Sequence, residues 1–317
     1  MPKPDLEAGV KIARGMAMRI ASLRRWQRPA MVVLPLLALV LTASFAVPKL
    51  LASLKGGEVF AILKHMPLGK ILAALLLTAI SHGLLSVQEV LGLRALGHRI
   101  RWRTAARGAF TSYALSHNLG LAPVTGGSAR LHIYTRNGVP ASDVARLIVV
   151  TGCAFWAGIL MIAGAAMLLL HQPLLIAGLP LGTLAARLAG AAILVTVAGL
   201  ALLVMFQPAA EPNWLRRMIS LRDTSVVPIM IAIAAVDLCC AAAALSALIP
   251  GVDWADPTLI LVYALALVAT LVTHVPGGIG VFEGVLLAGL TVHGPTLLAA
   301  LLAYRVIYYL LPLAAAV

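Results

Sequence analysis

Charge is what this sequence has least of. Only 11% of its 317 residues are Asp, Glu, Lys or Arg, where a soluble domain carries roughly a quarter. The acidic side is the barer, with 11 Asp and Glu against 24 Lys and Arg. Cysteine is scarce too. Cys153, Cys239 and Cys240 all fall in apolar segments. The adjacent pair has neither metal-ligand spacing nor easy disulfide geometry, so these are small packing residues. No His-Glu-x-x-His, Gly-x-Ser-x-Gly, Cys-x-x-Cys or aspartate-rich metal motif occurs, and no Gly-Lys-Ser/Thr follows a glycine cluster. Those absences exclude a recognisable catalytic centre and a nucleotide loop, and imply no cofactor and no metal. The alternating ~10-residue segments of a membrane barrel are missing as well. So is a cleavable signal peptide, because the first apolar run starts only at Ala30, after a long basic lead without a small-residue cleavage site.

Hydrophobic residues make up 62% of the chain and the mean hydropathy is +1.01. Several apolar runs reach the ~20 residues that a helix needs to cross a bilayer. The fold class is therefore all-α, a polytopic integral membrane protein. Spans are expected at 30–51, 69–92, 145–170, 184–206, 226–249, 257–274 and 295–317, with 257–274 open between a span and half of a re-entrant pair. Two pieces, 108–124 and 278–292, are shorter or interrupted. This predicts about seven spanning helices plus two short re-entrant or broken segments.

The net charge of +13 matters less than its placement. Seven basic residues precede Ala30 and five arginines lie between Arg94 and Arg107. On a membrane protein such flanks set orientation and hold anionic headgroups, so nucleic acid is not the implied partner. Residues 1–29 form a basic cytoplasmic leader. Within it 8–28 reads as an amphipathic helix on the membrane face or as a disordered segment. The positive-inside rule puts the N-terminus, loop 94–107 and loop 207–225 inside, with loops 171–183 and 250–258 outside. Loop 52–68, with Lys49, Lys55, Lys64 and Lys70 in or beside it, falls outside against the rule. Segment 127–146, with Arg130, Arg136 and Arg146, must also lie inside if 145–170 crosses outward. The piece 108–124 then starts and ends on one face, which predicts a re-entrant segment.

The two broken pieces read "SHNLGLAPVTGGSARLHIY" (116–134) and "THVPGGIGVFEG" (273–284). Each has a hydroxyl residue before histidine, then proline and a Gly-Gly pair, which suggests an internal repeat. Irregular backbone is tolerated in hydrocarbon only where protein buries it or water reaches it. Broken helices in corresponding halves of a transporter point to a binding site within the membrane. Ionisable residues follow the same logic, because each costs about 2.5–3.5 kcal/mol on insertion scales and so faces a cavity or a partner. Glu283 and Arg305 are the candidates for function. Arg305 sits ten residues into its span, too deep to snorkel. Asp237 can be functional or structural. Glu89 is expected to pair with Arg94 or Arg99, and His82 to bond a neighbouring helix.

The stretches "SHNLGLAPVTGGSARLHIYTRNG" (116–138) and "HVPGGIGVFEG" (274–284) resemble the two signature stretches of the lysylphosphatidylglycerol synthase/flippase membrane region. That family comprises the bifunctional multiple-peptide-resistance proteins and their stand-alone relatives. The resemblance covers essentially the whole chain. Matching positions are Asn118, Gly126, Gly127, Arg130 and Tyr134 in the first stretch, with Pro276, Gly277, Gly278, Gly280 and Glu283 in the second. It implies a multi-pass protein of the bacterial cytoplasmic membrane, with residues 30–317 as a flippase-like domain. Such a domain moves aminoacylated phosphatidylglycerol from inner to outer leaflet, which lowers surface negative charge and gives resistance to cationic antimicrobial peptides. In the bifunctional proteins a C-terminal synthase domain makes the lipid. This sequence stops at Val317 inside an apolar run and reads as truncated there.

Lysyl-phosphatidylglycerol carries both signs of charge, so its head needs both signs of partner. Under the implied function Arg130 and Arg305, with Gly-Gly backbone N–H groups, take the phosphate. Glu283 and Asp237 take the ammonium groups, with His117, Asn118 and Tyr134 beside them. The implied partners are anionic and aminoacylated phospholipids, a C-terminal synthase domain and a second copy of the chain in a homo-oligomer. Two other readings stay open: a docking half of the synthase that transports nothing, and a stand-alone carrier of another lipid.

Overall fold

A computed structural model describes residues 56–120, 122–176, 179–206 and 221–316. The expected leader 1–29 and span 30–51 lie outside these residues, as does most of loop 207–225. Backbone in hydrocarbon must satisfy its own hydrogen bonds, and helices dominate accordingly. In chain order they are α1 (Gly56–Lys64), α2 (Leu68–Ala95), α3 (Trp102–Leu119), α4 (Ala122–Thr135) and α5 (Ala141–Leu169). After these come α6 (Thr183–Met205), α7 (Val226–Leu248), α8 (Pro257–Thr273), α9 (Val281–Gly289) and α10 (Gly294–Ala316). Among the described residues the only strands, β1 (Leu174–Ile176) and β2 (Leu179–Leu181), form an antiparallel hairpin between α5 and α6.

Among the described residues five helices are long and apolar enough to cross a bilayer: α2, α5, α6, α7 and α10. They correspond to the spans expected at 69–92, 145–170, 184–206, 226–249 and 295–317. The run 257–274 does not cross. Its helix α8 has 17 residues and stops at His274, which takes the left-handed conformation (φ 53°). The chain then turns through a 3₁₀ turn, Pro276–Gly278, and goes back as α9. Loop 52–68 is not a plain loop either, since it holds α1.

Contacts at the helix ends fix the directions. Arg222 N donates to Ala95 O at 2.6 Å, so α2 ends where α7 begins. Thr224 Oγ1 donates to Met205 O at 3.1 Å, bringing the end of α6 there. His98 Nε2 lies 2.7 Å from Asp143 Oδ2, which brings the start of α5 to the same end. This end carries Arg94, Arg99, Arg101, Arg103 and Arg136. The opposite end, where α7 meets α8 and α9 meets α10, carries Asp253 and Asp256.

From the basic end α3 runs inward to Gly120, and α4 returns antiparallel beside it. The register shows in the close contacts: a Cβ on Gly126 would overlap Ser112 and Ser116, and one on Gly108 would overlap Tyr134. From the other end α8 and α9 do the same, with Gly278 against Thr270 and Gly289 against Val262. Both broken segments are thus helical hairpins that start and finish at one end. The order span–hairpin–span occurs twice, as α2, α3–α4, α5 and as α7, α8–α9, α10. The two copies run in opposite directions through the bundle and α6 links them, the arrangement of an inverted repeat.

The central spans α2 and α7 pack on each other. Small residues allow the close approaches that helix association in lipid requires. Gly158 of α5 faces Ala234 of α7, and Gly164 of α5 faces Gly190 of α6. The peripheral α6 is apolar all round, with Leu184 and Val195 about 70% exposed, as a lipid-facing helix should be. By contrast α3 buries a polar face of Ser112, Ser116 and Asn118.

Candidate functional site

The two hairpin tips meet inside the bundle. A Cβ on Gly120 would lie 3.5 Å from Pro276 Cα and 3.7 Å from Val275 O. Gly120 has φ 67°, so glycine serves both the turn and the contact. The break of the first segment is therefore at Gly120. The expected Gly126–Gly127 pair lies inside α4, where Gly126 lets α3 approach and Gly127 faces Ile148 of α5.

Each hairpin is tied to a spanning helix by a buried ion pair. In the first, Arg130 of α4 reaches Glu89 of α2 with both arms of a fork, Nε to Oε1 at 2.7 Å and Nη2 to Oε2 at 2.9 Å. Glu89 is fully buried and Arg130 only 5% exposed. Tyr134 Oη donates to Glu89 Oε1 at 2.9 Å, with Ala105 O the alternative acceptor at 3.2 Å. The guanidinium also lies 4.7 Å from the centre of the Tyr113 ring. Glu89 thus pairs with neither Arg94 nor Arg99, which sit past the end of its burial; a partner 41 residues on satisfies it.

In the second, Arg305 Nε donates to Glu283 Oε1 at 2.7 Å. Its Nη1 donates to Gly277 O, and its Nη2 to Gly278 O at 3.2 Å. Glu283 Oε2 accepts from Gly280 N at 2.8 Å. Gly277, Gly278 and Gly280 all have positive φ, and Gly278 N donates to Val275 O at 2.8 Å. The freed carbonyls of this turn face a cation, and two of its N–H groups are already engaged. Asn118 joins the hairpins to α10, its Nδ2 donating to Ala114 O at 2.8 Å and Tyr309 O at 2.9 Å.

A π-helical stretch, Arg305–Leu310, interrupts α10 here. Such insertions re-aim side chains and often mark functional positions. Tyr304 and Tyr308 stack at 5.0 Å, and Tyr308 stacks on His117 at 6.0 Å. His82 bonds Thr78 O on its own helix rather than a neighbour, through Nδ1 at 3.0 Å. Among the described residues its buried Nε2 has no partner, and neither has His117 Nδ1. Asp237 accepts from Ser81 Oγ and belongs to neither ion pair.

A cleft of about 1000 Å³ runs from the basic end toward these histidines. Arg107, Arg136 and His132 line it near the basic end, and His82 and Ser86 line it deeper in. Among the described residues no Asp or Glu lines it.

Residues 30–316 match the family described as the lysylphosphatidylglycerol synthase TM region. The chain belongs to this family. It is 33% identical over 263 residues to the uncharacterized protein slr0712 of Synechocystis, covering 78% of this chain and 77% of that one. It is also 26% identical over 274 residues to the inner membrane protein YbhN of Escherichia coli, covering 81% and 80%. Both relatives are therefore close to this chain in length. In this family member the sequence singled out Arg130, Tyr134, Arg305, Glu283, Asn118 and His117, and the fold gathers all six around the hairpins. Asp237 stands apart with Ser81. The cleft residues Arg107, His132 and Arg136 went unnoticed because a basic flank reads as a topology signal. His82 beside Ser81 in mid-span was the available clue to the inner end.

Proposed function

We propose that this multi-pass membrane protein is a lipid flippase unit of the inner membrane, passing phospholipid headgroups from the cytoplasmic to the outer leaflet. The observation that carries this reading is the pair of opposed hairpins meeting tip to tip, beside a cleft that opens at the basic end. By the positive-inside rule that end is cytoplasmic. A headgroup enters between Arg107 and Arg136, which hold its phosphate, while the acyl chains stay in lipid. Movement of the tips past each other then exposes the head to the opposite side.

Lysylphosphatidylglycerol is the first substrate to test, because the family description names it. A specific observation favours a second reading within the same class. Among the described residues the cleft offers cationic groups and no carboxylate, and Glu89 and Glu283 are each engaged by an arginine. That chemistry suits an anionic phosphate head better than a lysyl ammonium.

The test is leaflet exchange in proteoliposomes with fluorescent phosphatidylglycerol and its lysyl form in parallel. The wild type should exchange phosphatidylglycerol faster than empty vesicles. Replacing both Arg107 and Arg136 by alanine should slow it about tenfold or more, since a hydrogen bond to a charged group contributes about 1.5–3 kcal/mol. No exchange above empty vesicles would leave a docking role instead.

A further inference from the structure

Among the described residues, Glu89 and Glu283 each have an arginine, and Asp237 has none. It sits midway along α7, 2% exposed, and accepts from Ser81 Oγ of α2. Ser81 has one proton and gives it to Asp237. The 2.8 Å contact between Ser81 Oγ and Tyr308 Oη is therefore a bond donated by Tyr308. A chain of two hydroxyls, from α10 and α2, thus ends on a carboxylate of α7. Tyr308 in turn packs its ring 5.5 Å from that of His82 and 6.0 Å from that of His117. His82 lines the inner cleft, and both histidines keep a buried nitrogen without a partner.

The remaining titratable groups near Asp237 carry no permanent positive charge. They are Tyr308 of α10, Tyr263 of α8, Tyr113 of α3, and Cys239 and Cys240 of its own helix. A carboxylate in that setting lacks a counter-charge, and a proton is the smallest partner that can supply one. Intramembrane chains of acidic and histidine side chains are the common form of proton relays in transporters.

We propose that Asp237 is the proton-binding site that couples headgroup movement to a proton gradient, loaded from the cleft past His82 through Tyr308 and Ser81. One proton enters from the cleft, each hydroxyl passes its proton one place along, and Asp237 holds the last. Release toward the opposite end accompanies the shift of the hairpins and returns the carboxylate. The placement suits coupling, because Tyr308 lies in the π-helical stretch that also carries Arg305, the residue holding the second hairpin tip. This inference rests on the flippase reading, and it adds the driving force.

The experiment measures leaflet exchange of phosphatidylglycerol in proteoliposomes with a pH gradient of either sign and with none. One gradient direction should accelerate the wild type severalfold. Asp237→Asn should run at one rate whether or not the gradient is present, and Asp237→Glu should keep part of the response. Ser81→Ala, which retains the carboxylate, should weaken the response. Equal wild-type rates in all three conditions would overturn the coupling and leave the flippase reading standing. An Asp237→Asn protein that still responds would do the same, assigning Asp237 to bracing α2 against α7. A wild type that exchanges no lipid under any condition would sink both.

Discussion

The two hairpins use one device with its signs exchanged. In α3–α4 the arginine rides on the hairpin and the carboxylate on the spanning helix α2; in α8–α9 the carboxylate rides on the hairpin and the arginine on the spanning helix α10. The surroundings differ as well. Arg130 spends its fork on Glu89 and fixes the returning helix at mid-length. Arg305 divides its donors between Glu283 and the carbonyls of Gly277 and Gly278, so it pins the turn itself. One pair clamps a helix and the other clamps a tip. The second hairpin is accordingly the better placed to shift, since a turn can exchange carbonyl partners without unpacking a helix.

The largest effect expected from that difference is at Glu89. Glu89→Ala strands a buried guanidinium and should cost about 3–5 kcal/mol, read as thermal unfolding in detergent. Replacing Glu89 and Arg130 together by methionine should recover much of it. A double variant as unstable as the single one would mean that packing, not charge, holds the first hairpin.

Glu283→Gln should cost less, about 1–3 kcal/mol, because Arg305 keeps two carbonyls. Exchange of phosphatidylglycerol and of its lysyl form should fall together. A loss confined to the lysyl lipid would make Glu283 a headgroup ligand and end its description as a clamp.

Smaller still is the contrast between glycines. Gly278→Ala forces a side chain onto φ +61° and into Thr270, at a cost on the order of 1–3 kcal/mol. Gly127→Ala meets only Ile148 Cδ1 at 3.2 Å inside a helix, so its net effect should stay within about 1 kcal/mol. Equal effects at both sites would erase the distinction between a tip glycine and a packing glycine. Topology can be sharpened with almost no energetic change. Cysteines at Arg101 and Asn137 should be labelled from one side only and a cysteine at Asp253 from the other; labelling of Arg101 and Asn137 from different sides would dissolve the first hairpin.

Most of the architecture was legible because hydrophobic length and charge parity are properties of runs, which survive being read one residue at a time. Five spans and the return of 108–124 to its own face followed from them. The run 257–274 stayed open because its apolar length also fits a crossing; the left-handed His274 and the turn after it make it half of a hairpin. The buried charges were legible by type, since Arg305 and Glu283 lie deep in apolar runs. The partner of Glu89 was not. Glu89 was matched to the nearest arginines in sequence, whereas a re-entrant fold brings Arg130 back to it. The Gly-Gly pair at 126–127 drew attention from Gly120, because backbone angle leaves no mark on composition. The π-helical stretch at Arg305–Leu310 has no sequence signal that we can identify.

The buried polar face of α3 also bears on how the protein is made. Ser112, Ser116 and Asn118 leave this helix a poor candidate to settle in lipid alone, and its acceptor for Asn118 is Tyr309, 191 residues later. A chain emerging from the ribosome therefore completes α3 and α4 long before the helix that receives them exists. The first hairpin has to wait at the membrane surface, or half-inserted against α2, until α10 arrives. Synthesis interrupted anywhere before Tyr309 leaves Asn118 without this acceptor, so α10 acts as the seal that certifies the first hairpin.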